Sequence, residues 1–174
     1  AVLCGFGRSG QSLARILGQE NISYVALDLD PERVREAAKG GESVMFGDAG
    51  RRENLIAAGV KRASVVVITF ADTPTAEKVL HYCRDLRPDL PVLVRTEDER
   101  DLPRLVAAGA AEVVPDAQEA SLMLGSHALL LMGVPLNRVM RRARDARNAR
   151  YRLLRGFFKG LSDQPEETDA ESAR

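Results

Sequence analysis

The residues best suited to chemistry come at the very start of the chain: Gly5-Phe6-Gly7-Arg8-Ser9-Gly10, directly after a short apolar run. Their G-x-G-x-x-G spacing fits a strand that turns tightly into a helix. Gly5 permits the turn, Gly7 lets backbone approach a pyrophosphate without a clashing Cβ, and Gly10 lets helix and strand pack closely. The helix N-terminus then offers free N–H groups and partial positive charge to a phosphate, and Arg8 and Ser9 lie within reach of it. A second element follows in Tyr24-Val25-Ala26-Leu27-Asp28, which places an acid 18 positions beyond Gly10. That is close to the roughly 20 residues expected for a carboxylate on a ribose. Such a group accepts from ribose hydroxyls and repels a 2′-phosphate, favouring NAD(H) or an adenosine phosphate over NADP(H). A third element is Gly47-Asp48-Ala49. Asp48 could accept from the adenine amino group, or it could only close an Asx turn. Thr69 and Phe70 border the same crevice from its other side. Arg95 ends a strand, within reach of a phosphate, of a subunit interface, or of a local pair with Glu97 or Asp98.

These positions require a particular scaffold. Short β-branched runs alternate with helical stretches: strands at Ala1–Cys4, Ser23–Leu27, Ser43–Phe46, Ser64–Thr69, Pro91–Arg95 and Glu112–Val114. The unbroken Val65-Val66-Val67-Ile68 suits a strand buried on both faces of a parallel sheet. The pattern predicts an α/β, Rossmann-type, doubly wound six-stranded parallel sheet in the order 3-2-1-4-5-6. The glycine turn, Asp28 and Asp48 then sit at the carboxyl ends of adjacent strands, where such sheets bind ligands. Asp30, followed by Pro31, reads as a helix N-cap. From Asp116 to about Lys159 the chain reads as helix, first apolar and then arginine-rich. The organisation expected is a nucleotide-binding domain over residues 1–134, a basic helical extension over 135–160 and an acidic disordered tail over 161–174.

Composition narrows the function. Acidic and basic residues balance, with 25 of each. The balance hides an arginine-rich stretch from Arg138 to Lys159 and an acidic end after Leu161. Nucleic-acid binding is disfavoured, because few aromatics interleave the arginines. This stretch reads as a solvated or dimer-crossing helix, or as one that faces anionic lipid or an acidic partner beside a membrane. The two cysteines, Cys4 and Cys83, have no metal-ligand spacing and read as buried thiols. Only His81 and His127 are available for proton transfer, and both read as structural. Too little chain follows Val114 for a substrate domain, so an enzyme is not expected. No apolar run reaches the roughly 18 residues of a membrane span. Because Ala1 already reads as strand, a longer polypeptide with a segment upstream is expected.

Taken in order, Cys4-Gly5-Phe6-Gly7-Arg8-Ser9-Gly10-Gln11, Leu27-Asp28-Leu29-Asp30-Pro31, Phe46-Gly47-Asp48-Ala49 and Arg95 resemble the TrkA-N family of nucleotide-binding (KTN/RCK) domains, and within it the Kef-type set. The resemblance implies a homodimer that binds AMP or NAD(H) near its interface and gates a potassium or cation/proton antiporter. The antiporter's transmembrane part would precede Ala1 and place the domain on the cytoplasmic face of the bacterial inner membrane. It further implies nucleotide contacts from the glycine loop, Asp28, Leu29, Asp48, Ala49, Thr69 and Phe70, with Arg95 as the arginine near the interface. Glutathione-gated members carry an arginine soon after the proline of the sixth strand, whereas this chain has Pro115-Asp116-Ala117-Gln118. An NAD-dependent oxidoreductase fragment and a nucleotide-sensing transcription regulator are the alternatives.

Overall fold

The structure, a computed structural model, describes residues 1–151. They form β1 (Val2–Cys4), α1 (Arg8–Gln19), β2 (Val25–Asp28), α2 (Pro31–Lys39), β3 (Val44–Phe46), α3 (Arg52–Ala57), β4 (Val66–Ile68), α4 (Thr73–Leu86), β5 (Val92–Thr96), α5 (Leu102–Ala107), β6 (Glu112–Pro115), α6 (Asp116–Leu131) and α7 (Leu136–Arg150). Two compact units result, Ala1–Ala120 and the residues from Ser121 on.

In the first unit all strand pairs are parallel and the order is β3-β2-β1-β4-β5-β6. This is the predicted doubly wound topology. The central strand β1 pairs on both edges, Val2 opposite Val25 on one side and Val66 on the other. Side chains alternate between two cores. Val2, Cys4, Leu27, Val66, Ile68, Val92 and Val94 face one, packed with Leu55, Val79, Leu80 and Leu105 from α3, α4 and α5. Leu3 and Ala26 face the other, with Phe6, Ala14, Leu13 and Leu17. A sheet covered on both faces needs apolar residues at successive positions, which explains the continuous runs. Each fully buried Leu, Ile or Val contributes about 1.5–3 kcal/mol.

The helices that frame the strand tips are fixed by local chemistry. The Asp30 carboxylate caps α2, accepting from the Glu32 and Arg33 amides at 3.0 and 3.2 Å, with Pro31 at the first helical position. Asp72 caps α4, accepting from the Thr75 amide at 2.9 Å. A bond from the Thr75 hydroxyl, together with that amide, holds the Asp72 carboxyl below its usual range.

In the second unit the expected continuous helix is interrupted. α6 ends at Leu131 and α7 begins at Leu136. Gly133 takes φ +81°, and its amide and that of Val134 close back on Leu130 and Leu129. Pro135, which has no N–H to continue the ladder, then starts the next helix. Along α7, Val139 and Ala143 are buried while Arg138, Arg141, Arg142, Arg144 and Arg150 are exposed. The basic stretch beyond Tyr151 and the acidic tail lie outside the described residues. Among the described residues, no helix is long and apolar enough to cross a membrane.

Candidate nucleotide-binding site

The β1–α1 turn is built around two steric constraints. Gly5 takes φ +102°, and a Cβ there would stand 2.7 Å from Thr69 Oγ1. A Cβ on Gly10 would stand 2.3 Å from the Gly5 carbonyl oxygen. Gly7 differs: nothing lies within 4 Å of its would-be Cβ. It is the N-cap of α1 and caps without a side chain, so the first-turn amides are left to a ligand. The turn is held from two sides. The Gly5 amide donates to the Leu27 carbonyl at 2.8 Å, and the Thr69 hydroxyl lies 2.9 Å from the Gly5 carbonyl and 3.1 Å from that of Cys4.

Asp28 is buried at the tip of β2. Its Oδ2 accepts from the Phe6 amide at 2.6 Å. Its Oδ1 accepts from the Asp30 amide at 2.8 Å and from Arg33 Nη1 at 2.7 Å. Burial alone would raise its pKa. The Asp30 and Phe6 amides and the Arg33 guanidinium outweigh that and hold it below the usual carboxylate range. Asp28 is therefore ionised at neutral pH and ties the glycine loop to β2.

These elements enclose one cavity of about 680 Å³ at the carboxyl ends of the strands, a volume typical of small-molecule sites. Gly5, Gly7, Arg8, Ser9, Asp28, Leu29, Asp48, Ala49, Thr69, Phe70 and Arg95 all line it. Of the sequence-predicted site residues, only Phe6 and Gly10 stand behind the wall. Phe6 is buried against Tyr24 and gives its amide to Asp28, and Gly10 is the packing contact just described. Asp48 does make the Asx turn, accepting from the Gly50 amide at 2.8 Å, while its carboxylate remains on the cavity wall.

Arg95 combines two of its expected surroundings. It lines the cavity, yet its guanidinium is engaged. Nε lies 3.0 Å from both oxygens of Asp116, Nη2 binds the same carboxylate and sits 3.3 Å from Glu97, and Nη1 donates to the Thr69 carbonyl at 3.0 Å. Asp98 pairs with Arg100 instead. Asp116 escaped the sequence reading because it lies one strand further along, 21 residues away. Arg33 was missed as well. It joins the wall from the first turn of α2, and its only signal was a basic residue three positions after Asp30. Neither histidine lines the cavity: His81 Nε2 lies 3.4 Å from Asp85 on α4, and His127 belongs to α6.

A family model described as the TrkA-N domain matches residues 1–116. The chain belongs to the TrkA-N domain family. The chain is 43% identical over 162 residues, 93% of its length, to a protein of Alkalimonas amylolytica named "Putative K(+) efflux antiporter KefB", and spans 24% of that relative. It is 30% identical over 162 residues to the "Glutathione-regulated potassium-efflux system protein KefC" of Salmonella paratyphi B, spanning 26% of it. Among solved structures, the Kef C-terminal domain of Shewanella denitrificans in an AMP-bound form superposes with a TM-score of 0.72 at 25% identity, covering 92% of this chain and 97% of that one. This TrkA-N domain thus spans about a quarter of the curated relatives it matches.

Proposed function

We propose that this TrkA-N domain is the ligand-sensing regulatory domain of a Kef-type potassium efflux antiporter, binding AMP or NAD(H) in the cavity at the strand tips. The carrying observation is convergence: the glycine turn, Asp28, Asp48 and Thr69-Phe70 meet in one cleft. In this reading the α1 N-terminus and Arg8 take the phosphate, Asp28 takes the ribose, and Leu29, Asp48 and Ala49 flank the adenine. The AMP-bound Kef domain of Shewanella denitrificans supports the ligand class, and the full-length relatives support the transport context. The antiporter's membrane part would be linked upstream of this domain, and the domain would work at the cytoplasmic face of the bacterial inner membrane. The domain senses rather than transforms its ligand: what it contributes is a difference in nucleotide affinity between two conformations, which biases the pathway attached to it.

The second unit supports a homodimer. Leu124, Leu131, Met132, Leu136 and Met140 are 61–90% exposed, an apolar surface that a second copy would cover.

Calorimetry and thermal unfolding of the chain with AMP and with NADH test the site. Ligand at a hundredfold excess over its Kd should stabilise the fold by about 2.7 kcal/mol. No heat and no rise in Tm with either nucleotide would refute the reading. Sedimentation should show a dimer, and a strict monomer at tens of micromolar concentration would refute that part.

A further inference from the structure

The carboxylate that the proposed function assigns to the ribose already has an occupant. Asp28 accepts two backbone amides, those of Phe6 and Asp30, which are fixed by the loop and by the β2–α2 turn. Its third partner, Arg33, is a side chain of different character: 37% exposed, lining the same cavity, and bridging Asp28 at 2.7 Å to Asp30 at 3.1 Å. A carboxylate offers about four lone-pair positions, two on each oxygen. On Asp28, Oδ1 has both filled, by the Asp30 amide and by Arg33. A ribose diol therefore cannot reach both oxygens while Arg33 stays in place. The guanidinium occupies the Oδ1 face of Asp28 on the cavity wall, with a planar fork that matches phosphate geometry.

We propose that Arg33 is the specificity-determining residue of the ribose subsite: it competes with a free 2′,3′-diol for Asp28 and offers its guanidinium to a 2′-phosphate, so that it narrows the discrimination between unphosphorylated and 2′-phosphorylated adenosine ligands. The inference rests on the nucleotide reading of the cleft. Its two effects act in the same direction. Removing Arg33 frees Asp28 for the diol and withdraws the cation from the phosphate, so both raise the preference for the unphosphorylated ribose. A purely structural Arg33, steadying the first turn of α2, would affect both ligands equally.

The test uses two ligands that differ only at the 2′ position, AMP and adenosine 2′,5′-bisphosphate, titrated calorimetrically into the chain and its Arg33→Gln and Arg33→Lys variants. In Arg33→Gln the ratio of Kd for the bisphosphate to Kd for AMP should rise about tenfold or more, the loss of a charged hydrogen bond, with AMP binding tighter. Arg33→Lys, which keeps the cation but loses the planar fork, should give a ratio between those of the original and of Arg33→Gln. A ratio unchanged in Arg33→Gln, or a parallel weakening of both ligands, would overturn the proposal while leaving the nucleotide site standing. Failure of the unsubstituted chain to bind either ligand would overturn the proposed function itself, and this inference with it.

Discussion

Two glycines of one motif should respond oppositely to the same added methyl group. At Gly10 a Cβ would meet the Gly5 carbonyl oxygen at 2.3 Å, roughly 1 Å inside ordinary contact, and the obstacle is backbone on both sides. α1 must slide outward or the turn must open. Overpacking of this kind costs about 1–3 kcal/mol, which for a chain of this size lowers Tm by roughly 2–12 °C. At Gly7 the space is open and φ is −68°, a conformation alanine adopts freely. The unfolded-state entropy gain of about 0.4–1 kcal/mol is offset by the poor fit of alanine at an N-cap. The empty Gly7→Ala chain should thus stay within about 1 kcal/mol of the original. Its methyl group would nevertheless occupy the phosphate's approach and weaken AMP at least about tenfold, a loss of about 1.4 kcal/mol. Urea unfolding without ligand and calorimetry with AMP separate the two effects. Gly10→Ala with unchanged stability would contradict the β1–α1 contact. Gly7→Ala with unchanged AMP affinity would place the phosphate elsewhere.

Other expectations follow from the same geometry. Asp28→Asn should destabilise the chain by about 2 kcal/mol at neutral pH, since an amide cannot accept from three donors. Because the folded-state pKa of Asp28 is depressed, its contribution is fully present above the unfolded value near 3.8 and is lost as pH falls through the lower folded value. Unfolding curves of the two chains should therefore converge in that acid window, and a gap that persisted there would contradict a contribution carried by the ionised carboxylate and its amide and guanidinium donors. Asp30→Ala, by contrast, should cost about 1 kcal/mol as a lost cap, with AMP affinity kept within about threefold. The thiols should be silent: burial pushes Cys83 up to about 11 and Cys4 higher still. A thiol reagent at neutral pH should label them only as fast as the chain opens, and rapid stoichiometric labelling of the native chain would disprove their burial.

The sheet order and the convergence of Gly5, Asp28, Asp48 and Thr69 were legible because each rests on short-range chemistry. A glycine turn, an acid ending a strand and a hydrophobic run report their own backbone, and parallel crossovers leave one way to assemble them. What escaped depends on side-chain direction or distance. Arg33 reaches back from the next helix onto Asp28, and Arg95 finds Asp116 across a neighbouring strand, and no local pattern encodes either pairing. The break between α6 and α7 was overlooked for a different reason. Apolar and basic periodicity continues across Gly133 and Pro135, so the pattern outvoted two residues whose backbone preferences decide the matter.

The pairing of β1 with both β2 and β4 sets the order in which this molecule can mature. Val2 must wait for Val66, and the turn at Gly5 has no roof until Thr69 arrives. A ribosome will have released more than half of the first unit before a nucleotide has anything to grip. Early collapse must then proceed on apolar contacts alone, with long-range closure as the slow step. The ligand can reward only chains that have already folded, which makes it a late selector of native molecules and no aid to their birth.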